Sequence, residues 1–286
     1  RDPEMSRGLG DVYKRQFSMR MMKKVLGTVT VLALSVSLLA GCGSTAASPV
    51  SSAASTAAES TTSSVVSETT SAAADENVAA AAQLLNDLTG SYQELWPVIL
   101  ADEYKQTWLD DCTALVGEDN AEAAFEKLSS MVTGDVYGED AVKAYANGGG
   151  AYFCGFTNSL ATLTFDGETS TISGTDKDGN VLFSHTYHYI GMEPVHELYE
   201  FESDDADSGE FTYFFLAPDT SAETYHIEFR YGSDAEALSQ YDAGEYAYWV
   251  ASGISTDCDQ TMIDNCIELF LSLIHISEPT RHLRIS

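Results

Sequence analysis

The stretch Phe211–Gly232 carries the residues of this chain that are best suited to bind a ligand. Its second half, Glu223–Arg230, reads as a strand that contains one histidine and two carboxylates. Because side chains alternate between the two faces of a strand, His226 and Glu228 are predicted to share a face. Glu223 lies close to them in sequence. Imidazole nitrogens and carboxylate oxygens are both zinc ligands, so these three residues form the candidate metal set.

Other histidines precede this stretch and offer a further ligand. His185 and His188 lie on the predicted strand Val181–Ile190, and His196 follows it. Alternation places His188 on the face opposite His185. A mixed site of His226, Glu228 and one of these histidines, with His185 as the named candidate, is one interpretation. The alternative is that His226 is a partly buried histidine with a hydrogen-bond partner and binds no metal.

No other chemistry is indicated by a motif. His226 and Ser233 lack a nucleophile-elbow pattern, and no glycine-rich phosphate cradle is present. The acidic pairs Asp110-Asp111 and Asp204-Asp205 are typical of solvated surface charge. The segment 176–180 is better explained as a hairpin turn than as a calcium loop, because it lacks the remaining spaced acids. We therefore expect no enzymatic activity.

The N-terminal region is typical of an exported lipoprotein. Lys23 and Lys24 precede an apolar run, Val25–Leu39, that is too short for an ordinary membrane-spanning helix. The run ends in Leu-Ala-Gly-Cys, which resembles a bacterial lipobox and makes Cys42 the expected lipidated residue. The alternatives are an ordinary secretory signal or an uncleaved anchor. The predicted location is the cell membrane, lipid-anchored on the extracytoplasmic side.

Both ends of the chain resemble translated sequencing adaptor, namely DVYKRQ at 11–16 and LSLIHISEPTR at 271–281. The segment 42–75 is dominated by Ser, Thr, Ala and Val and is predicted to be a flexible tether. The predicted division is an adaptor-derived leader at 1–18, a lipoprotein signal peptide at 19–41, the tether at 42–75, a folded domain at 76–270 and an adaptor-derived tail at 271–286.

The expected mature chain is strongly acidic. Nine of the 14 basic residues and four of the 44 acidic residues lie outside 42–270, which leaves five basic against 40 acidic residues and a net charge of −35. Because nucleic-acid binding depends on neutralising phosphates with Lys and Arg, that class of partner is excluded. An anionic surface attracts cations instead, although acidity alone does not make a metal site.

Four cysteines follow Cys42 in the mature chain. An oxidising location favours at least one disulfide among them, with free buried thiols as the alternative. Three pairings are open, and the spacing does not choose between them. The residues are Cys112, Cys154, Cys258 and Cys266.

Helical spacing changes to period two in the middle of the domain, which predicts helices around an antiparallel meander. Such a meander commonly closes into a barrel, so the predicted fold is mainly β: a calycin or lipocalin-like antiparallel β-barrel with N-terminal and C-terminal helices. Ser91 and Glu94 form a capping-box pattern that predicts a helix start. The predicted helices are Asn77–Leu88, Glu103–Val116, Asn120–Val132, Glu139–Ala146, Ser233–Tyr241 and Thr261–Phe270. The predicted strands are Ala151–Phe156, Leu160–Phe165, Thr169–Gly174, Val181–Ile190, Val195–Glu202, Phe211–Leu216 and Glu223–Arg230.

The phrases LTGSYQELWPVI, TYHYIG, LAPDTSAETYHIEF, RYGSDAEALSQY and YAYWVASGI resemble, in this order, the ZinT (YodA) family of zinc-recruitment domains. The resemblance covers about residues 80–270. It implies a calycin-type barrel, an extracytoplasmic location, recruitment of a divalent metal ion, with zinc as the expected one, and delivery to a component of a metal-uptake transporter.

The family's three zinc-binding histidines are only partly present. Phe214 occupies the place of the first histidine, and Thr224-Tyr225-His226 matches the family's His-Phe-His only at its last residue. The resemblance therefore implies weak metal binding or a remodelled site at His226. The competing interpretation is a barrel that has lost its zinc site and serves either as an interaction module or as a binder of a small apolar ligand near Phe214, among the other aromatic residues of 211–215.

Overall fold

The computed structural model describes residues 76–146 and 152–276. The predicted leader, signal peptide and tether, with Cys42, lie outside these residues. Within the part of the chain that is described, no helix is long and apolar enough to cross a membrane.

Eight antiparallel strands close into a barrel, each paired with its neighbours in sequence order and the last paired with the first. This closure confirms the predicted antiparallel barrel. The strands are β1 Gly90–Glu94, β2 Thr162–Asp166, β3 Thr171–Thr175, β4 Val181–Met192, β5 Tyr199–Ser203, β6 Tyr213–Leu216, β7 Ile227–Gly232 and β8 Ala251–Ser255.

Aromatic side chains fill the inner face of β6 and β7. Phe214 lies opposite Tyr231, and Leu216 lies opposite Phe229. Side chains directly opposite each other in a ladder point to the same face. The Phe214 and Tyr231 rings accordingly stack with centroids 5.3 Å apart, and Phe214 also contacts the ring of Tyr187 on β4 at 5.4 Å. The alternate residues of β7, including Glu228 and Arg230, therefore point outward.

Helices lie at both ends of the domain and between the strands. Residues 76–87 form α1; Leu84 and Leu85 of this helix and Leu88 directly after it are buried. The others are α2 Leu95–Ile99, α3 Lys105–Val116, α4 Glu118–Val132, α5 Glu139–Ala146, α6 Ser221–Thr224, α7 Ala235–Leu238 and α8 Gln260–Ile276. Helix α8 passes the predicted domain end at 270, so the predicted tail begins inside a helix.

The outward face of β7 and β8 is covered rather than solvated. Helix α2 contacts β8 and helix α7 contacts β7, while Phe270 of α8 lies against the His226 ring just before β7 and against the Trp96 ring of α2, the latter with centroids 4.5 Å apart. Ile254 on the outer face of β8 is completely buried. The barrel therefore has two buried layers here, one inside it and one between its wall and the helices.

Three predicted elements were wrong. The capping box at Ser91–Glu94 is instead strand β1, because this segment pairs with both β2 and β8 and closes the barrel. The predicted strand Ala151–Phe156 forms only isolated bridges at Phe153 within its described part. The predicted strand Glu223–Arg230 begins only at Ile227, because residues 221–224 form the helical turn α6.

Candidate metal site

His226 and Glu228 lie together on the outer face of the barrel wall, at the start of β7. His226 is 1% exposed and Glu228 is 8% exposed. The two side chains meet, with His226 Nε2 3.1 Å from Glu228 Oε1. The sequence prediction that these residues share a face is therefore confirmed, but the face points away from the barrel interior.

The turn before β7 fixes the orientation of the His226 ring. Helix α6 ends at Tyr225, which takes the left-handed conformation with φ 65°. This reversal brings the Thr224 carbonyl oxygen within 2.7 Å of His226 Nδ1. A carbonyl can only accept, so Nδ1 carries the proton and donates it. The Nε2 atom is thus the one turned toward Glu228.

One further proton is shared by the His226–Glu228 pair. With Nδ1–H committed to Thr224, a hydrogen bond between Nε2 and Oε1 needs a proton on one of those two atoms. The pair is therefore either imidazolium with carboxylate or neutral imidazole with carboxylic acid. In both forms the pair is electrically neutral, which suits its burial.

The spacing of the pair fits two ligands of one zinc ion. Two ligand atoms bound tetrahedrally at about 2.0–2.1 Å lie about 3.3 Å apart, close to the 3.1 Å between Nε2 and Oε1. Metal-binding histidines almost always donate their other ring N–H to a carbonyl or carboxylate, as Nδ1 does here. The protein nevertheless supplies only two ligands here, because no group of three metal-ligating side chains exists among residues 76–146 and 152–276.

Apolar and sulfur-containing side chains surround the pair. The Phe270 ring of α8 lies against His226 with centroids 5.0 Å apart. Cys154 is fully buried near Glu228; burial raises the pKa of its thiol and the Glu228 charge raises it further. Cys154 is thus held as the neutral thiol. The sequence contained no signal for this proximity, because Cys154 and Glu228 are far apart along the chain.

The other candidate ligands do not join His226. Glu223 lies exposed on α6 rather than on the predicted strand, and among the described residues it forms no group of three ligands with His226 and Glu228. His185 lies on β4, where its Nδ1 is 2.7 Å from Asp205 Oδ2. Since β5 and β6 separate β4 from β7 and His185 faces the interior side with Phe183, it belongs to a different surface.

The remaining two histidines are held by carboxylates elsewhere. His188 lies on the outer face of β4, opposite to His185 as predicted, with Nδ1 2.8 Å from Asp204 Oδ1 and Nε2 4.0 Å from Glu202 Oε2. Asp204 and Glu202 lie beside different nitrogens of the His188 ring, so one metal ion cannot bind the ring and both acids. His196 Nδ1 is 3.4 Å from Glu193 Oε2 in a buried turn. Neither histidine completes a site with His226.

Phe214 is part of the barrel core. It is completely buried and points inward, whereas His226 points outward. A histidine at position 214 would therefore face the opposite side of the sheet from His226. This packing also gives no support to a ligand pocket beside Phe214, since aromatic rings occupy the space around it.

The cysteines differ from what the predicted oxidising location suggested. Cys112, Cys154, Cys258 and Cys266 are free thiols, so the expected disulfide is not formed; three of them are buried, and Cys258 is partly exposed. Burial raises the pKa of Cys266 to about 12.

Arg230, which sequence reasoning had not singled out, is fully buried on the same outer face of β7 as Glu228. The sequence feature that could have identified it is its position as the basic residue of the mostly apolar strand β7.

No protein-family model and no curated protein sequence matches this chain. Among solved structures, the zinc-bound ZinT-like domain of AdcA from Streptococcus pneumoniae is similar, with 15% identity and a TM-score of 0.40 over 65% of this chain and 89% of that domain. Zinc-bound AdcA from the same organism is similar with 16% identity and a TM-score of 0.39, over 65% of this chain and 35% of that protein.

Proposed function

We propose that this protein captures a divalent metal ion, with zinc as the expected cargo, through His226 Nε2 and Glu228 Oε1. The observation that carries the proposal is the 3.1 Å contact between these atoms, with Nδ1–H already held by the Thr224 carbonyl. The proposal is also supported by the resemblance of the surrounding sequence to zinc-recruitment domains. Water or a ligand from another molecule supplies the remaining coordination positions.

Binding at this pair exchanges a proton for the metal. The proton shared between Nε2 and Oε1 leaves when both atoms become ligands, because metal binding requires the neutral imidazole and the ionised carboxylate. Two protein ligands hold zinc more weakly than a closed set of four. A weak site that opens to exchange suits a protein that passes its metal to a component of an uptake transporter.

A zinc titration of the purified full-length protein, in competition with a chelator of known affinity, tests this function. We expect His226→Ala to abolish the site and Glu228→Gln to weaken it. His188→Ala, which removes an exposed histidine from another face, is the matched control and should leave binding unchanged. Absence of binding tighter than millimolar, or equal binding by the His226 and His188 variants, would contradict the proposal.

The cellular location is the second part of the proposal. We infer a lipid-anchored, extracytoplasmic protein, supported by the basic residues, apolar run and Leu-Ala-Gly-Cys sequence that end at Cys42. Expression of Cys42→Ala in a bacterial host, followed by membrane fractionation, tests it. We expect the variant to leave the membrane fraction, and retention equal to the unmodified protein would argue against lipidation.

A further inference from the structure

Helix α8 lies over the His226–Glu228 pair. The Phe270 ring packs on the His226 ring with centroids 5.0 Å apart, and Cys266 Sγ lies 3.4 Å from the carbonyl oxygen of Tyr225. Phe270 and Cys266 are four residues apart and therefore share one face of α8. Because His226 is 1% exposed and Glu228 is 8% exposed, a hydrated metal ion cannot reach the pair in this arrangement. Metal entry therefore requires part of the cover to move.

Apolar contacts hold α8 in place. Its buried side chains recur every three to four residues, which is typical of a helix that packs through one apolar stripe. Helix α8 packs against α2, α3 and α4, and Phe270 meets the Trp96 ring of α2 with centroids 4.5 Å apart. The stripe consists of Ile263, Cys266, Ile267, Phe270 and Leu271.

Negative charges oppose this packing between α8 and α3. Asp264 and Glu268 are exposed one turn apart on α8, and the charges of both act on Asp111 of α3. Partial burial raises the pKa of the Asp111 carboxyl, and the charges of Glu268, Asp110 and Asp264 raise it further. Carboxylates on neighbouring helices repel each other. The contact that apolar burial stabilises is therefore weakened by charge.

We propose that α8 is a cover that detaches locally from the folded barrel and thereby admits metal to the His226–Glu228 pair, with the carboxylates of α3 and α8 setting how often it opens. The inference rests on the proposed metal function and adds the control of metal entry to it. Detachment of α8 breaks none of the pairings of the eight strands, because β8 closes the barrel before α8 begins. Folded proteins commonly open such units at a lower free energy than global unfolding requires.

Maleimide labelling of Cys266 measures this opening without any metal. Burial raises the pKa of the Cys266 thiol to about 12, so the thiol is unreactive while α8 is docked and reacts when α8 detaches. Peptide mass spectrometry separates its rate from those of the other cysteines of the full-length protein. We expect the rate to depend less steeply on urea than global unfolding does, because local opening exposes less surface.

Three variants test what holds the cover. Glu268→Gln removes one repelling charge and should slow the labelling about twofold, the effect of one exposed like-charge pair. Glu168→Gln is the matched control: it makes the same charge change in the exposed turn between β2 and β3 and should leave the rate unchanged. Phe270→Ala removes the ring that packs on His226 and should speed the labelling about a hundredfold. The rate of zinc release to a chelator should change in the same direction as the labelling rate in each variant.

Two results would overturn the inference while leaving the proposed function intact: labelling of Cys266 that follows global unfolding or is equal in the two glutamate variants, and zinc release that is equally fast in all variants. Absence of zinc binding would refute the proposed function and with it the control of metal entry. The two failures are distinguishable because the labelling needs no metal. If Phe270→Ala fails to fold, the comparison of the two glutamate variants decides the question.

Discussion

Replacement of Arg230 by methionine should destabilise the barrel far more than the loss of an exposed charge. The guanidinium is completely buried on the outer face of β7. It donates to the backbone carbonyls of Leu238, Gln240 and Tyr246, and it lies 4.2 Å from the centre of the Tyr241 ring. Arg230 therefore attaches the segment after β7 to the barrel wall.

Two opposing terms set the size of the effect. Each of the three carbonyls that loses its donor inside the protein costs about 1–3 kcal/mol. Relief from burying a charged group returns several kcal/mol, and methionine keeps most of the apolar contact. The difference predicts a loss of about 2–4 kcal/mol in the free energy of unfolding.

Urea unfolding followed by circular dichroism measures this loss. Lys143→Met is the matched control, because it makes the same charge change on an exposed helix where Lys143 Nζ is 3.1 Å from Asp140 Oδ1. Exposed pairs contribute at most about 1 kcal/mol, so the control should change stability by less than that. A loss in Arg230→Met that is no larger than in Lys143→Met would refute the reasoning that the buried carbonyls depend on Arg230.

Two further predictions concern the core and the acid response. Phe214→His should lower the free energy of unfolding in urea by about 2–4 kcal/mol, because it places a polar ring among the inward aromatic side chains. It should not tighten zinc binding measured by chelator competition. Tighter binding would contradict the conclusion that residues 214 and 226 point to opposite sides of the sheet. Burial raises the pKa of Glu193, but hydrogen bonds from His196 and from the backbone N–H groups of residues 195 and 196 outweigh it and hold the pKa below 4.5. The resulting stabilisation is present above pH 4.5 and is lost as the pH falls through the lower pKa of the folded state. Glu193→Gln should therefore reduce the fall of the thermal unfolding midpoint at acid pH. A midpoint that depends on pH in the same way in the variant and the unmodified protein would contradict this prediction.

The sequence predicted the parts of the fold that depend on local alternation. Strands β2 to β6 appear within a few residues of their predicted positions, because each carries a regular period-two pattern and is followed by a turn. Strand β1 was missed because Ser91 and Glu94 match a local helix signal. Its pairing with β2 and β8 outweighs that signal, and those partners are distant in sequence.

The candidate site was predictable only in part, for the same reason. Two-residue spacing was enough to place His226 and Glu228 on one face. Which face became the outer one depends on the register with β6 and β8, and its burial depends on Phe270 of α8. Glu223 is not part of the ligand set because residues 221–224 form a helical turn that ends at the left-handed Tyr225, where alternation predicted a continuous strand.

The number of protons released on zinc binding tests the central claim most directly. Calorimetric titration of the full-length protein in two buffers of different ionisation enthalpy gives this number. The shared proton of the His226–Glu228 pair predicts release of about one proton per zinc bound, and an affinity that rises with pH. Both effects should disappear in His226→Ala and persist in His188→Ala. Zinc binding without proton release, or proton release that survives in His226→Ala, would contradict the assignment of the metal to this pair.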